Sequence, residues 1–119
     1  MSTRPAAKVP YTTLLGQLLQ HYRQERGLQQ NEVAAALGIL QPAYSRIEKG
    51  DTSITVTQLR IVARTLNMRP SQILDDADRW TQTLRAQGVT VTDEKEVPQA
   101  ALLIGLGILA AAMLALSNS

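Results

Sequence analysis

The 119 residues predict an all-α chain, a five-helix domain followed by a separate hydrophobic helix. Three observations carry that expectation. With no Phe, one Trp and three Tyr, the core must be built from Leu, Ile, Val and Ala, which suits small helical bundles better than β-sandwiches. Five stretches between Tyr11 and Leu84 repeat apolar residues at helical spacing, punctuated by Gly, Pro or Asn. From Ala100 to Leu116, seventeen consecutive residues are apolar or glycine.

Met1 to Pro10 hold two prolines, few apolar residues and two basic ones, Arg4 and Lys8. No apolar h-region is present, so the segment does not read as a secretory signal. Residues 1–10 are expected to be a flexible arm, of the kind that sometimes tracks a minor groove, with an unused terminus as the plainer alternative. Tyr11 to Arg26 is a clear amphipathic helix: Tyr11, Leu14, Leu15, Leu18, Leu19 and Tyr22 form its apolar stripe. Thr12 or Thr13 is the expected cap, Gly27 the stop, and Gln17, Gln20, Arg23, Gln24 and Arg26 the wet side.

Residues 28–50 are the stretch around which the chain is organised. Val33, Ala34 and Leu37 have helical spacing and the run stops at Gly38, a residue suited to the left-handed conformation that ends a helix. Pro42 stands where a new helix would begin, a position that loses little from a missing N–H. Tyr44 and Ile47 share one face, Lys49 lies in the last turn, and Gly50 closes the helix. Two short helices joined by a turn centred on Gly38 make a helix-turn-helix, whose second helix can enter a DNA major groove. Gln29 and Leu40 are poor N-cap residues, each worth about 1 kcal/mol of local stability unless something compensates.

After the turn Asp51-Thr52-Ser53, Thr55 caps a fourth helix over Val56 to Leu66, with Leu59, Val62, Ala63 and Leu66 buried. Asn67 suits its end. Pro70 opens a fifth, lined on one side by Ile73, Leu74, Ala77, Trp80 and Leu84, and Gly88 ends it. The domain is thus expected over residues 11–74, with 75–87 extending helix five. Residues 88–97 read as a linker, because Val89-Thr90-Val91-Thr92 alternates like a strand but has no visible partner. Asp75-Asp76-Ala77-Asp78 lacks the glycine and terminal glutamate of a calcium loop and reads as a solvated acidic stretch.

Charge is divided along the chain. Residues 1–74 carry nine Lys and Arg against four Asp and Glu, a net +5, whereas residues 75–119 carry three against six, a net −3. The basic half holds the helix-turn-helix, as a phosphate-binding surface requires. No cysteine is present, so neither a disulfide framework nor a thiolate metal site is available, and the lone His21 cannot build a zinc site. No glycine-rich phosphate loop, His–Glu metal pair or nucleophile–base pair appears, so the chain reads as a non-enzyme without a cofactor or metal.

Gln30, Glu32, Ala34, Leu37, Gly38, Ile39 and Gln41, followed by Tyr44-Ser45-Arg46-Ile47-Glu48-Lys49-Gly50, resemble the lambda-repressor and Cro-like (XRE-type) helix-turn-helix domains. The resemblance covers about residues 12–74, including Ile54-Thr55 and Pro70-Ser71-Gln72-Ile73-Leu74. It implies a five-helix lambda-repressor-like domain acting as a transcription regulator, usually a homodimer on double-stranded DNA with a partly palindromic operator. By position it puts Gln41, Pro42, Ser45 and Arg46 on the base-facing side of the second helix. It puts Gln30, Lys49, Thr52 and Thr55 against phosphates. The side-chain chemistry agrees: a guanidinium such as Arg46 can bond guanine O6 and N7 together, and Gln41 can read adenine. Pro42 cannot donate a hydrogen bond and could only pack on a thymine methyl or sugar. Tyr44 is assigned to the core, and Glu48 to a structural bond with Arg23 or Arg26. The alternative function is a helix-turn-helix that binds a protein partner, a cytoskeletal scaffold or a toxin.

A helix over residues 98–117 would be about 30 Å long, roughly one hydrocarbon thickness, and apolar all round. Gly107, Ala111 and Ala115 are spaced four apart, as are Ala101 and Gly105, a pattern that lets membrane helices approach closely. Every Lys and Arg precedes it, which would keep the DNA-binding half cytoplasmic and the tail anchored in a bacterial inner membrane. A helix buried in an oligomer is the competing expectation.

Overall fold

The computed structural model describes residues 6–117. In chain order the elements are β1 (Ala7–Pro10), α1 (Tyr11–Glu25), α2 (Gln30–Leu37), α3 (Gln41–Lys49), α4 (Val56–Thr65), α5 (Pro70–Ala86), β2 (Val89–Thr92) and α6 (Gln99–Ser117). The five expected helices are present and their stripes close on one core. Leu14, Leu18 and Leu19 of α1 meet Val33, Tyr44, Val62, Leu66, Ile73 and Leu84, all at most 1 % exposed. Trp80, on the same side of α5, is only half-buried, and Leu74 keeps 40 % of its surface.

Helix ends follow the sequence with two differences. Gly38 and Gly50 adopt φ of 71° and 80° and end α2 and α3 in the left-handed conformation, and Asn67 does likewise after α4 at φ 58°. Thr55 Oγ1 accepts from the Gln58 N–H at 3.0 Å while Gln58 Oε1 accepts from the Thr55 N–H at 2.9 Å, a complete capping box. The weak cap at Gln29 is compensated by Glu32, whose carboxylate accepts from the Gln29 N–H at 3.0 Å. No side-chain cap forms on α1, because β1 runs through Pro10 directly into it and neither Thr12 nor Thr13 occupies the cap position.

Three expectations are corrected by the chain's two ends. Ala7–Pro10, expected within a flexible arm, is a strand, and residues 1–5 of that arm lie outside the described residues. Its partner is Val89–Thr92 from the expected linker: the two pair in parallel, Ala7 with Val89 through Pro10 with Thr92. Pro10 is tolerated at the end of a strand whose last N–H is not needed by the ladder. The third correction concerns the tail. α6 lies against β1, burying Ala101, Gly105 and Leu109, and no helix among the described residues is long and apolar enough to cross a membrane. The expectation of a membrane-inserted tail is therefore set aside.

Two contacts fix α3 against α1. At Gly16 an added Cβ would lie 2.3 Å from the Glu48 carbonyl oxygen and 2.5 Å from that of Ile47, so only glycine permits this crossing. About two turns further along α1, Arg23 is 8 % exposed, and its partner Glu48 2 %. Arg23 Nε and Nη2 donate to the two Glu48 carboxylate oxygens at 2.7 and 3.0 Å, and Nη1 donates to the Leu28 carbonyl at 2.9 Å. Arg23 was expected on the wet side of its helix. Its burial follows from having every polar reach of the fork satisfied inside. The bond to Glu48 also raises the Arg23 pKa, keeping its charge fixed. On the neighbouring side Tyr22 donates its hydroxyl to Asp76, tying α1 to α5; burial and that bond push the phenol pKa well up. Asp76 thus leaves the solvated acidic stretch expected of residues 75–78.

Gly16→Ala is expected to destabilise the fold by about 1–3 kcal/mol through overpacking, although the same change in an open helix would stabilise by about 1 kcal/mol. Urea unfolding of the two proteins decides between the signs. Arg23→Met should cost about 3–5 kcal/mol by stranding the Glu48 charge, and adding Glu48→Leu should recover most of it. A double variant no more stable than Arg23→Met in the same titration contradicts the pairing.

Candidate nucleic-acid interface

α3 buries one side and presents the other. Tyr44, Ile47 and Glu48 face the core, at 0, 4 and 2 % exposure. Residues 41, 42, 45, 46 and 49 follow at the complementary helical spacing. Of these Gln41, Pro42, Arg46 and Lys49 are exposed and Ser45 is half-buried. The Tyr44 hydroxyl is buried, and burial first, then the neighbouring Glu48 carboxylate, raises its pKa and keeps it protonated.

The start of α3 is the protruding corner of the domain. Leu40 is 79 % exposed and forms no side-chain cap. Its carbonyl still accepts from the Ala43 and Tyr44 N–H groups at 3.0 and 3.2 Å, and Pro42 removes one donor that would otherwise lack a partner. The weak cap at Leu40 therefore has a modest cost, and the positive end of α3 is left open to an outside anion.

Beside it, the buried ion pair extends outward through two amides. Gln30 Nε2 donates to Glu48 Oε1 at 2.9 Å, and Gln41 Nε2 donates to Gln30 Oε1 at 2.7 Å. The polarity of this chain is dictated from its buried end. A carboxylate only accepts, so Gln30 must turn its NH2 to Glu48 and its oxygen outward, and Gln41 must then turn its NH2 to Gln30. Gln41 keeps a second N–H and its own carbonyl oxygen, the donor and acceptor needed for bidentate bonding to adenine N7 and N6. Arg23, Gln29, Gln30, Asn31 and Gln41 together line an open concavity of about 570 Å³ between the starts of α2 and α3.

The remaining site residues are less constrained. Among the described residues the Arg46 side chain forms no hydrogen bond or ion pair, so neither Glu48 nor Glu32 occupies it. Its backbone carbonyl accepts from the N–H groups of Asp51 and Thr52 at 2.9 and 3.3 Å, which ties the following turn to the helix. Lys49 and Thr52 are exposed along that turn. Thr55 is exposed, but its oxygen and its N–H already serve the α4 cap, leaving only the hydroxyl proton for an outside acceptor. The structure thus gathers Gln30 and Gln41 into one network with Glu48. It sets Pro42, Ser45, Arg46 and Lys49 along the adjoining helix edge, with Thr52 and Thr55 beyond its far end.

Gly16 is the supporting residue that sequence reasoning missed; of Arg23, expected with Arg26 as a partner for Glu48, only the burial escaped it. The available signals were Arg23 at the i+4 position from buried Leu19, and a glycine inside an otherwise regular helix.

Comparison with known proteins agrees with this geometry. The Helix-turn-helix family matches residues 19–73. No curated relative matches the chain. Two solved structures of the clp gene regulator ClgR from Corynebacterium glutamicum share the fold at 23 % sequence identity. One has a TM-score of 0.61 over 65 % of this chain and 82 % of that one. The other has a TM-score of 0.55 over 58 % and 90 %. Residues 19–73 of this chain thus match the helix-turn-helix family of XRE, lambda-repressor-like type.

Proposed function

We propose that the chain is a sequence-specific DNA-binding transcription regulator that lays α3 in the major groove. Gln41 and Arg46 read bases there, and Ser45 and Pro42 provide close contact. Gln30, Lys49, Thr52 and Thr55 hold phosphates at either end of the helix, and two copies share one operator. The observation that carries this reading is the exposed edge of α3. It bears an unpaired guanidinium at Arg46 and an amide at Gln41 whose orientation is set by a bonded chain to the buried Arg23–Glu48 pair. A rigidly aimed donor–acceptor pair beside a free guanidinium is what direct readout of a base edge needs. The net +5 of residues 1–74 supplies the general attraction for phosphate. The fold shared with ClgR, a protein described as a gene regulator, points the same way.

Binding to a duplex selected from a random pool tests the assignments. Arg46→Ala should lose about 1–3 kcal/mol on the selected sequence and little on random duplex. Lys49→Ala should weaken both alike and lower the slope of log affinity against log salt by about 1. Wild-type discrimination retained by Arg46→Ala removes the base-reading role. If no duplex is ever selected, the surface passes to a protein partner.

A further inference from the structure

A cavity of about 510 Å³ separates the end of α3 from the tail. It lies in the size range of small-molecule sites, and both of its walls are fixed. On one side Gly50 is pressed onto α1: an added Cβ would lie 2.5 Å from Thr13 Cα, so Lys49 and Asp51 flank a contact that cannot slip. On the other side α6 is seated on β1, where a Cβ on Gly105 would lie 2.6 Å from Val9 Cγ2 and 2.7 Å from the Lys8 carbonyl oxygen. Leu102 and Leu106, one helical turn apart and half-buried, line the gap from α6. Lys95 and Glu96, from the segment leading into α6, and Gln17 of α1 line the rest.

Two charges of each sign meet there, and none is used. Among the described residues the ion pairs are His21–Glu25, Arg23–Glu48 and Arg79–Asp76, and the side chains of Lys49, Asp51, Lys95 and Glu96 form neither an ion pair nor a hydrogen bond. The Gln17 amide, both donor and acceptor, is likewise unengaged among them. The cavity of about 620 Å³ between α1 and α5 differs in this respect. Its Glu25 and Asp76 are already bonded to His21, Tyr22 and Arg79.

We infer that the cavity between α3 and α6 binds a small zwitterion with an apolar side chain, and that its occupancy lowers the affinity for DNA. Apolar amino acids and short apolar peptides share this chemistry. The lining selects the class: unpaired groups of both signs suit a molecule bearing an ammonium and a carboxylate better than a simple anion or cation. Leu102 and Leu106 offer apolar surface beside them. The coupling comes from Lys49, proposed above as a phosphate contact. An ammonium that holds the ligand carboxylate is withdrawn from the phosphate, and the antagonism is reciprocal. The coupling rests on the DNA-binding reading, whereas the site does not.

Calorimetric titration of the full chain without DNA tests the site, with L-leucine and L-leucyl-L-leucine as probes. The better of the two, which tells a free amino acid from a peptide, should saturate with a dissociation constant below about 1 mM. N-acetyl-L-leucine, L-leucinamide and glycylglycine each lack one of the three features and should bind at least about 10-fold more weakly. Lys95→Ala should lose about the same factor with melting temperature and duplex affinity unchanged, whereas Lys49→Ala should weaken both ligand and duplex. The better probe should lower affinity for a selected duplex and reduce its salt slope by about 1, with no such effect on Lys49→Ala. Silence of both probes, binding unaltered by Lys95→Ala, or an acetylated probe as tight as the zwitterion overturns the site. Probe binding that leaves duplex affinity untouched overturns the coupling. A chain that binds a probe but selects no duplex supports the site and removes the DNA reading together with the coupling.

Discussion

The buried ion pair between Arg23 and Glu48 is the contact on which the arrangement depends. Glu48 sits in the last turn of α3 and Arg23 in the last turns of α1, so their two-pronged bond sets how the second helix of the motif leans on the first. Such a pair contributes little net stability, because desolvation offsets most of the attraction, but breaking it is costly. Its value here is directional. Arg23 can only donate and Glu48 can only accept, so the sense of each hydrogen bond beyond them is determined through Gln30 to Gln41. A side chain at the outer corner of the domain is thereby aimed by charges in its interior. Gly16 works toward the same end by steric means, letting the α3 carbonyls touch the α1 backbone.

The chain's two ends form a second structure around the first. β1 leads straight into α1, β2 follows α5, and the two pair in parallel although some eighty residues separate them. Two four-residue strands are too short to stand alone. They persist because α6 covers β1 and α5 packs against β2, leaving Val9 at 0 % exposure and Val89 at 1 %. The hydrophobic tail thus has a defined inner side made by a strand from the opposite end of the chain.

Most of the domain was legible in the sequence because helical periodicity and its punctuation are local. The stripes of α1, α4 and α5, the left-handed glycines at 38 and 50, Asn67, and the core placement of Tyr44 and Ile47 all follow from residues within one or two turns. What escaped depends on distant partners. Val89–Thr92 alternated like a strand, but nothing nearby indicates that Ala7–Pro10 is its neighbour. Arg23 lies at the border between the apolar stripe and the wet side of its helix, so only the arrival of Glu48 decides its burial. The tail misled for a related reason. A helix that is apolar all round has no face in its sequence, so lipid, a partner and the domain itself are equally good covers until β1 is placed. At the interface, the exposed edge of α3 could be read from spacing, whereas the aiming of Gln41 through Gln30 could not.

The central claim is that the corner formed by the starts of α2 and α3, aimed from the buried ion pair, is the surface that meets DNA. Backbone amide shifts of the isotope-labelled full chain, followed while a selected duplex is added, test it most directly. The account predicts that the largest changes fall on Gln30, Gln41, Ser45, Arg46 and Lys49, with β2 and the inner side of α6 unmoved. Changes centred on β2, α5 or α6 with the α3 edge silent would contradict it.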